Sequence, residues 1–193
     1  MMICVYGAAS NNIRPSYISA VEELGRKMSA RGHGLVYGAG ANGLMGAVAR
    51  GVYENRGEII GVAPSFFNVD GILFEHATKL ISTETMRERK QIMEDYAEAF
   101  IMVPGGVGTF DEFFEILTLK QLARHNKPLV IFNLEHYYDP LLSMMEHAAK
   151  EGFVAEKNLE LYKVLDDIDE ILEYIETYQP EEIEVEKLRQ IKR

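Results

Sequence analysis

Basic residues, cysteines and long apolar runs are all scarce in this sequence, and each shortage removes a class of function. Lysine and arginine together number 20 against 30 aspartates and glutamates, a formal net charge of −10 at pH 7. A general nucleic-acid binder needs a basic footprint to meet phosphates, so that partner is set aside. A small anionic ligand is not, because a few N–H groups and one or two cations can hold a phosphate on an acidic protein. Cys4 is the only cysteine, which excludes an intrachain disulfide and a cysteine-rich metal site. Set in the apolar run Met2–Tyr6, it reads as a buried, inert strand residue. The five histidines (His33, His76, His125, His136 and His147) form no ligand-spaced pair, and neither a metal nor a cofactor is expected. No run approaches the roughly 18 apolar residues of a membrane helix. The chain opens into a strand-like run without a basic leader, so a cytoplasmic location with no membrane partner is the expectation.

What is present is an ordinary globular balance, 47% hydrophobic and 26% charged over 193 residues, which favours one domain. Short apolar runs alternate with longer amphipathic stretches, the pattern of a parallel sheet wrapped by helices. Strands are predicted at Ile3–Tyr6, Gly34–Tyr37, Ile59–Val62, Lys79–Ile81, Ala99–Val103 and Leu129–Phe132. Several are apolar at consecutive positions, as in strands covered on both faces. Helices are predicted near Ser16–Ala30, Leu44–Asn55, Thr85–Ala97, Thr109–Arg124, Asp139–Glu151 and Ile168–Tyr178. Gly32 is placed to end the first of them as a left-handed cap. The fold class is α/β, a Rossmann-like doubly wound parallel sheet in a single catalytic domain over residues 1–179. Residues 180–193 differ: acidic residues precede basic ones after Pro180, which suits either a short surface helix or a frayed tail.

Three predicted strands run into glycine-rich turns: Gly7–Ser10, Gly38–Gly46 and Pro104–Thr109. In an open parallel sheet ligands sit beyond the carboxyl ends of the strands, and the helix that follows each turn offers N–H groups to an anion. The first turn reads equally well as a tight strand-to-helix connection. The second contains Gly38-x-Gly40-x-x-Gly43, the spacing of a dinucleotide fingerprint, but the strand Ile59–Val62 ends in Ala63-Pro64 with no acid to hold a ribose. The third is followed by Glu112 and Glu115, three apart on one helix face. A phosphate on the Gly105–Thr109 amides, Val107 included, places a sugar near these carboxylates. Upstream, the run Met86-Arg87-Glu88-Arg89-Lys90 starts a helix that leads into the strand feeding this turn, so Arg89 or Lys90 can reach the same pocket.

The run M-x-x-R-K (Met86–Lys90), followed by P-G-G-x-G-T-x-x-E (Pro104–Glu112), resembles the Lonely Guy family. Its members are cytokinin riboside 5′-monophosphate phosphoribohydrolases, often labelled possible lysine decarboxylases. The resemblance extends through Gly43-Leu44-Met45-Gly46, Lys127-Pro128, Tyr137-Tyr138-Asp139 and Glu151-Gly152-Phe153. It implies that Arg89 and Glu112 are catalytic. It also implies that Lys90, Gly105, Gly106, Gly108, Thr109, Glu115 and Thr118 line the nucleotide site, to which Val107, Ser10, Gly40 and Met86 are added from the turns and the motif. The implied reaction frees the base of a nucleoside 5′-monophosphate, AMP or an N6-substituted AMP, as ribose 5-phosphate forms. A homodimer with pockets near the interface is implied too. Two other readings remain open at this stage: a general AMP nucleosidase, and a non-catalytic nucleotide carrier of the same fold. The chain departs from the family at Gly7-Ala8-Ala9-Ser10 and at Gly38-Ala39-Gly40, where the family commonly has Cys-Gly-Ser-Ser and three glycines.

Overall fold

The computed structural model describes residues 1–67 and 71–180. Seven strands form one sheet: β1 (Met2–Tyr6), β2 (Gly34–Tyr37), β3 (Ile59–Pro64), β4 (Lys79–Thr83), β5 (Ala99–Met102), β6 (Leu129–Phe132) and β7 (Lys163–Leu165). Their order is β4-β3-β2-β1-β5-β6-β7, and every pairing is parallel. The helices are α1 (Pro15–Ala30), α2 (Gly43–Glu54), α3 (Met86–Tyr96), α4 (Val107–Gln121), α5 (Asp139–Lys150) and α6 (Ile168–Thr177).

The period of two along each strand sorts the apolar side chains into two cores. Ile3, Val5, Leu35, Tyr37, Ile101 and Val103 pack with α1, α2 and α6. Cys4, Tyr6, Val36, Phe100 and Met102 pack on the other side with residues of α3, α4 and α5. Covering both faces is what makes these strands read as unbroken apolar runs. Burial also pushes the Cys4 thiol well up, which keeps it protonated and inert.

The chain winds outward from β1 through β2, β3 and β4, then outward from β5 through β6 and β7. Between β1 and β5 the connections leave for opposite faces, opening a crevice at the carboxyl ends of these strands. The strand β7 was not anticipated. It has three residues, one of them charged, and is defined by pairing Val164 with Ile131 instead of by local pattern. The helix α4 starts at Val107, two positions before the Thr109 start read from the sequence, and ends at Gln121 before a left-handed Ala123 (φ 53°) turns the chain. Gly32 (φ 80°) closes α1 as expected, and His33 N–H donates to the Met28 carbonyl at 2.9 Å. The charged segment predicted after Pro180 lies outside the described residues. Among the described residues no helix is long and apolar enough to cross a membrane.

Candidate active site

The first and third glycine turns meet at the crevice. Val103 N–H donates to the Tyr6 carbonyl at 2.9 Å, and Ala8 N–H donates to the Pro104 carbonyl at 3.1 Å. This leaves the N-terminus of α4 open. The backbone N–H groups of Gly106, Val107, Gly108 and Thr109 have no acceptor among the described residues, while that of Gly105 is turned toward the Tyr138 hydroxyl, and Gly106 supplies no side-chain cap. A methyl group built on Gly106 or Gly108 would meet nothing within 4 Å, and neither residue has positive φ. Neither backbone conformation nor the protein's own packing requires glycine there, so the space suits the close approach of an outside group. Gly105 is different: a methyl there would overlap the Thr109 side chain. Four unpaired donors at the positive end of a helix are suited to an anion.

The second turn is closed, contrary to the expectation that its amides face an anion. Leu44 and Met45 N–H both donate to the Ala8 carbonyl (2.8 and 3.2 Å), Gly43 N–H to Asn11 Oδ1 (2.9 Å) and Gly46 N–H to the Asn42 carbonyl (2.9 Å). Across this turn runs a strap: Ala41 N–H donates to Ile72, Phe74 N–H donates to Ala39, and Gly40 bridges Leu73. Gly40 is buried beneath it against the Met45 side chain. A pyrophosphate finds no available donor at the start of α2. Ser10, in the first turn, is exposed, and its Oγ accepts from Asn12 N–H at 3.1 Å.

Beside the open turn lies a buried ion pair. Thr85 caps α3 by accepting from Glu88 N–H, which fixes where the helix begins and points Arg89 inward. Arg89 Nη1 stands 3.0 Å from Glu112 Oε1, and Arg89 Nε donates to the Val62 carbonyl at 3.1 Å. The two residues are 5% and 7% exposed. Burial raises the Glu112 carboxyl above its ordinary value of 4.5, and Arg89 opposes the rise. Between pH 4.5 and that raised value the folded chain binds more protons at Glu112 than the unfolded chain does. This site's contribution to stability is therefore fully present below pH 4.5 and is lost as pH climbs through the folded value. Glu112→Gln removes that loss, so its urea midpoint gains on wild type as pH rises from 4 to 7.

Room for the guanidinium comes from Gly38, where a methyl would overlap Arg89 Nη2. Gly38→Ala is expected to cost about 1–3 kcal/mol by urea denaturation. Much less is expected once Arg89→Ala has emptied the space, since residues in contact are not additive.

The remaining candidates fall on the outer side. Lys90 Nζ lies 3.0 Å from Asp111 Oδ2 and pairs closely with Glu115. Glu112 and Glu115, expected on one face, thus divide: the first is buried against Arg89 and the second is half-exposed against Lys90. Thr118 and Glu115 line a groove of ≈ 530 Å³ with Val107, Phe110, Phe114 and Leu119. Phe113 points away into the core. Met86 stands partly exposed at the first turn of α3.

A family model described as "Possible lysine decarboxylase" matches residues 45–175. The chain is 37% identical over 179 residues to the cytokinin riboside 5′-monophosphate phosphoribohydrolase LOG of Oryza sativa subsp. japonica, covering 93% of this chain and 74% of that one. It is 34% identical to the cytokinin riboside 5′-monophosphate phosphoribohydrolase LOG2 of Arabidopsis thaliana, covering 92% and 84%. The chain belongs to the Lonely Guy family. The same fold occurs in the molybdenum cofactor binding protein of Rippkaea orientalis (TM-score 0.70, 20% identity, 91% and 95% covered). It occurs again in the Moco carrier protein of Chlamydomonas reinhardtii (TM-score 0.68, 21% identity, 91% and 94% covered).

In this family member, sequence reasoning missed the residues that act on the site from behind. Gly38 makes space for Arg89, Asn11 ties the first turn to the second, and Tyr137 and Tyr138 bond the carbonyls of Gly105 and Val103. The tyrosine pair stood out only as part of the family resemblance.

Proposed function

We propose that the chain hydrolyses the N-glycosidic bond of a nucleoside 5′-monophosphate, an N6-substituted AMP in the manner of its named relatives, to the free base and ribose 5-phosphate. The observation that carries this reading is the adjacency of an open, glycine-lined helix N-terminus to the buried pair Arg89–Glu112. The phosphate accepts from the amides at Gly106–Thr109 and acts as a handle whose binding energy positions the sugar. As the C1′–N9 bond breaks, its electron pair leaves with the purine and positive charge builds on the ribose. Glu112 stabilises that charge and takes a proton from the water whose oxygen bonds to C1′. Arg89 offsets negative charge on the departing base; it stays protonated, so the base takes its proton from solvent. Lys90 and Glu115, paired at the outer edge, hold the ribose hydroxyls. This chemistry calls for no metal.

The active form is a homodimer in a cytoplasmic setting. Its interface is the outer face of α4, where Val107 is 83% exposed beside Phe110, Phe114 and Leu119. That face adjoins the open N-terminus, so the second copy borders the pocket. Sedimentation equilibrium checks this: a monomer of 21.9 kDa that retains full activity rules the shared pocket out.

Chromatography of wild-type reactions with AMP and with N6-isopentenyl-AMP tests the reaction. Release of base and ribose 5-phosphate supports it, and the ratio of rates separates cytokinin activation from general AMP turnover. Nucleotide binding without release from either substrate refutes it.

A further inference from the structure

Two adjacent tyrosines stand behind the open turn. Tyr137 Oη donates to the Gly105 carbonyl at 2.8 Å, and Tyr138 Oη donates to the Val103 carbonyl at 2.7 Å. In a trans peptide the C=O and the N–H point in opposite directions. Holding the Gly105 carbonyl toward Tyr137 therefore aims the Gly106 N–H to the other side. That N–H has no acceptor among the described residues, and the space beside Gly106 is open. The bond from Tyr138 has no such consequence, because the peptide it grips ends at the nitrogen of Pro104, which carries no hydrogen.

The segment that delivers these tyrosines is strained. Glu135 and His136, consecutive non-glycine residues, both adopt left-handed backbone (φ 51° and 60°). Such residues cost on the order of 1–3 kcal/mol each and persist only where their surroundings hold them. Here the surroundings do so. Glu135 pairs with Arg14 at 2.9 Å, and Asn133 accepts from Tyr138 N–H at 2.8 Å while donating to Asp139 at 2.8 Å. Tyr137 packs edge-on against Tyr17 with ring centroids 6.0 Å apart. The loop is over-determined, and what it fixes is the direction of one peptide at the mouth of α4.

We propose that Tyr137 is a positioning residue for the 5′-phosphate: its hydroxyl orients the Gly105–Gly106 peptide so that the Gly106 N–H faces the anion. This rests on the nucleotide reading above and names the part of the chain that sets its phosphate site. Tyr138 supports the same turn structurally, through the Val103 carbonyl and the Gly105 N–H, and aims no donor at the anion.

Tyr137→Phe removes only the hydroxyl, and Tyr138→Phe is its control. Calorimetry with ribose 5-phosphate and with adenine is run on wild type and both variants. In Tyr137→Phe the affinity for ribose 5-phosphate falls by roughly 2- to 10-fold, the worth of one net hydrogen bond, and adenine binding is unchanged. In Tyr138→Phe the thermal midpoint drops, while ribose 5-phosphate affinity stays within about twofold, since Tyr137 still holds the Gly105–Gly106 peptide and the Gly106 N–H keeps its direction. Equal losses for both ligands in Tyr137→Phe, or no loss for either, overturn the proposal. The calorimetric result does not depend on turnover, so a phosphate-selective loss supports the peptide-orienting role even if AMP is not cleaved.

Discussion

Glu112→Gln lowers kcat for nucleotide hydrolysis by about 10²- to 10⁴-fold, the usual contribution of a positioned general base. Its effect on stability is small, on the order of 1 kcal/mol, because two changes oppose each other. The amide oxygen of glutamine still accepts from Arg89 at the position now held by Oε1, so the guanidinium keeps a partner. The ion pair is lost, but so is the burial penalty that raises the Glu112 carboxyl. Steady-state kinetics and urea denaturation on the same preparation read both effects. An active Glu112→Gln assigns the chemistry to another residue; an inactive variant that is also largely unfolded gives Glu112 a structural role.

Arg89→Ala shows the opposite division. Removing one partner of a buried ion pair strands the other, at a cost of about 3–5 kcal/mol. Glu112 is 7% exposed, and Arg89 provides the largest opposition to its desolvation, so its carboxyl rises further and takes up a proton at lower cost than staying charged. The Val62 carbonyl also loses its donor. Turnover falls with it by about 10²- to 10³-fold, as when one preorganised donor is taken from a developing charge. The double variant Arg89→Met/Glu112→Gln separates the two effects. Stability recovers toward wild type because no buried charge remains unpaired, and activity does not recover. Additive stability losses in the double variant would mean that Arg89 and Glu112 do not act as a pair.

The sheet was legible because its strands are covered on both faces. Runs such as Ala99–Met102 carry no polar residue to blur them, and their ends agree with the structure to within a residue or two. What failed were elements defined by distant partners. The strand β7 exists through its pairing with β6, and no local pattern in Lys163–Leu165 announces it. In the site, the motifs indicated Arg89 and Glu112 separately, while their contact depends on α3 and α4 packing on the same face of the sheet. Helical spacing put Glu112 and Glu115 on one face, yet Lys90 draws Glu115 outward. The second glycine turn has the spacing of a dinucleotide fingerprint, which the missing acid after Ile59–Val62 already argues against. What spacing cannot see is how the turn is closed, by the Ala8 carbonyl, the Asn11 side chain and the strap at residues 72–74. The third turn leaves the start of α4 uncapped for the complementary reason: Pro104 and the flanking glycines bring no side chain that could fold back to cap it.

The most direct test is to map backbone amide shifts by heteronuclear NMR as ribose 5-phosphate is added to the wild-type protein. Saturable shifts at Gly106, Gly108 and Thr109, with Gly43–Gly46 unmoved, are the predicted result. Shifts centred on Gly43–Gly46, or none at the start of α4, would contradict the placement of the phosphate and the mechanism built on it.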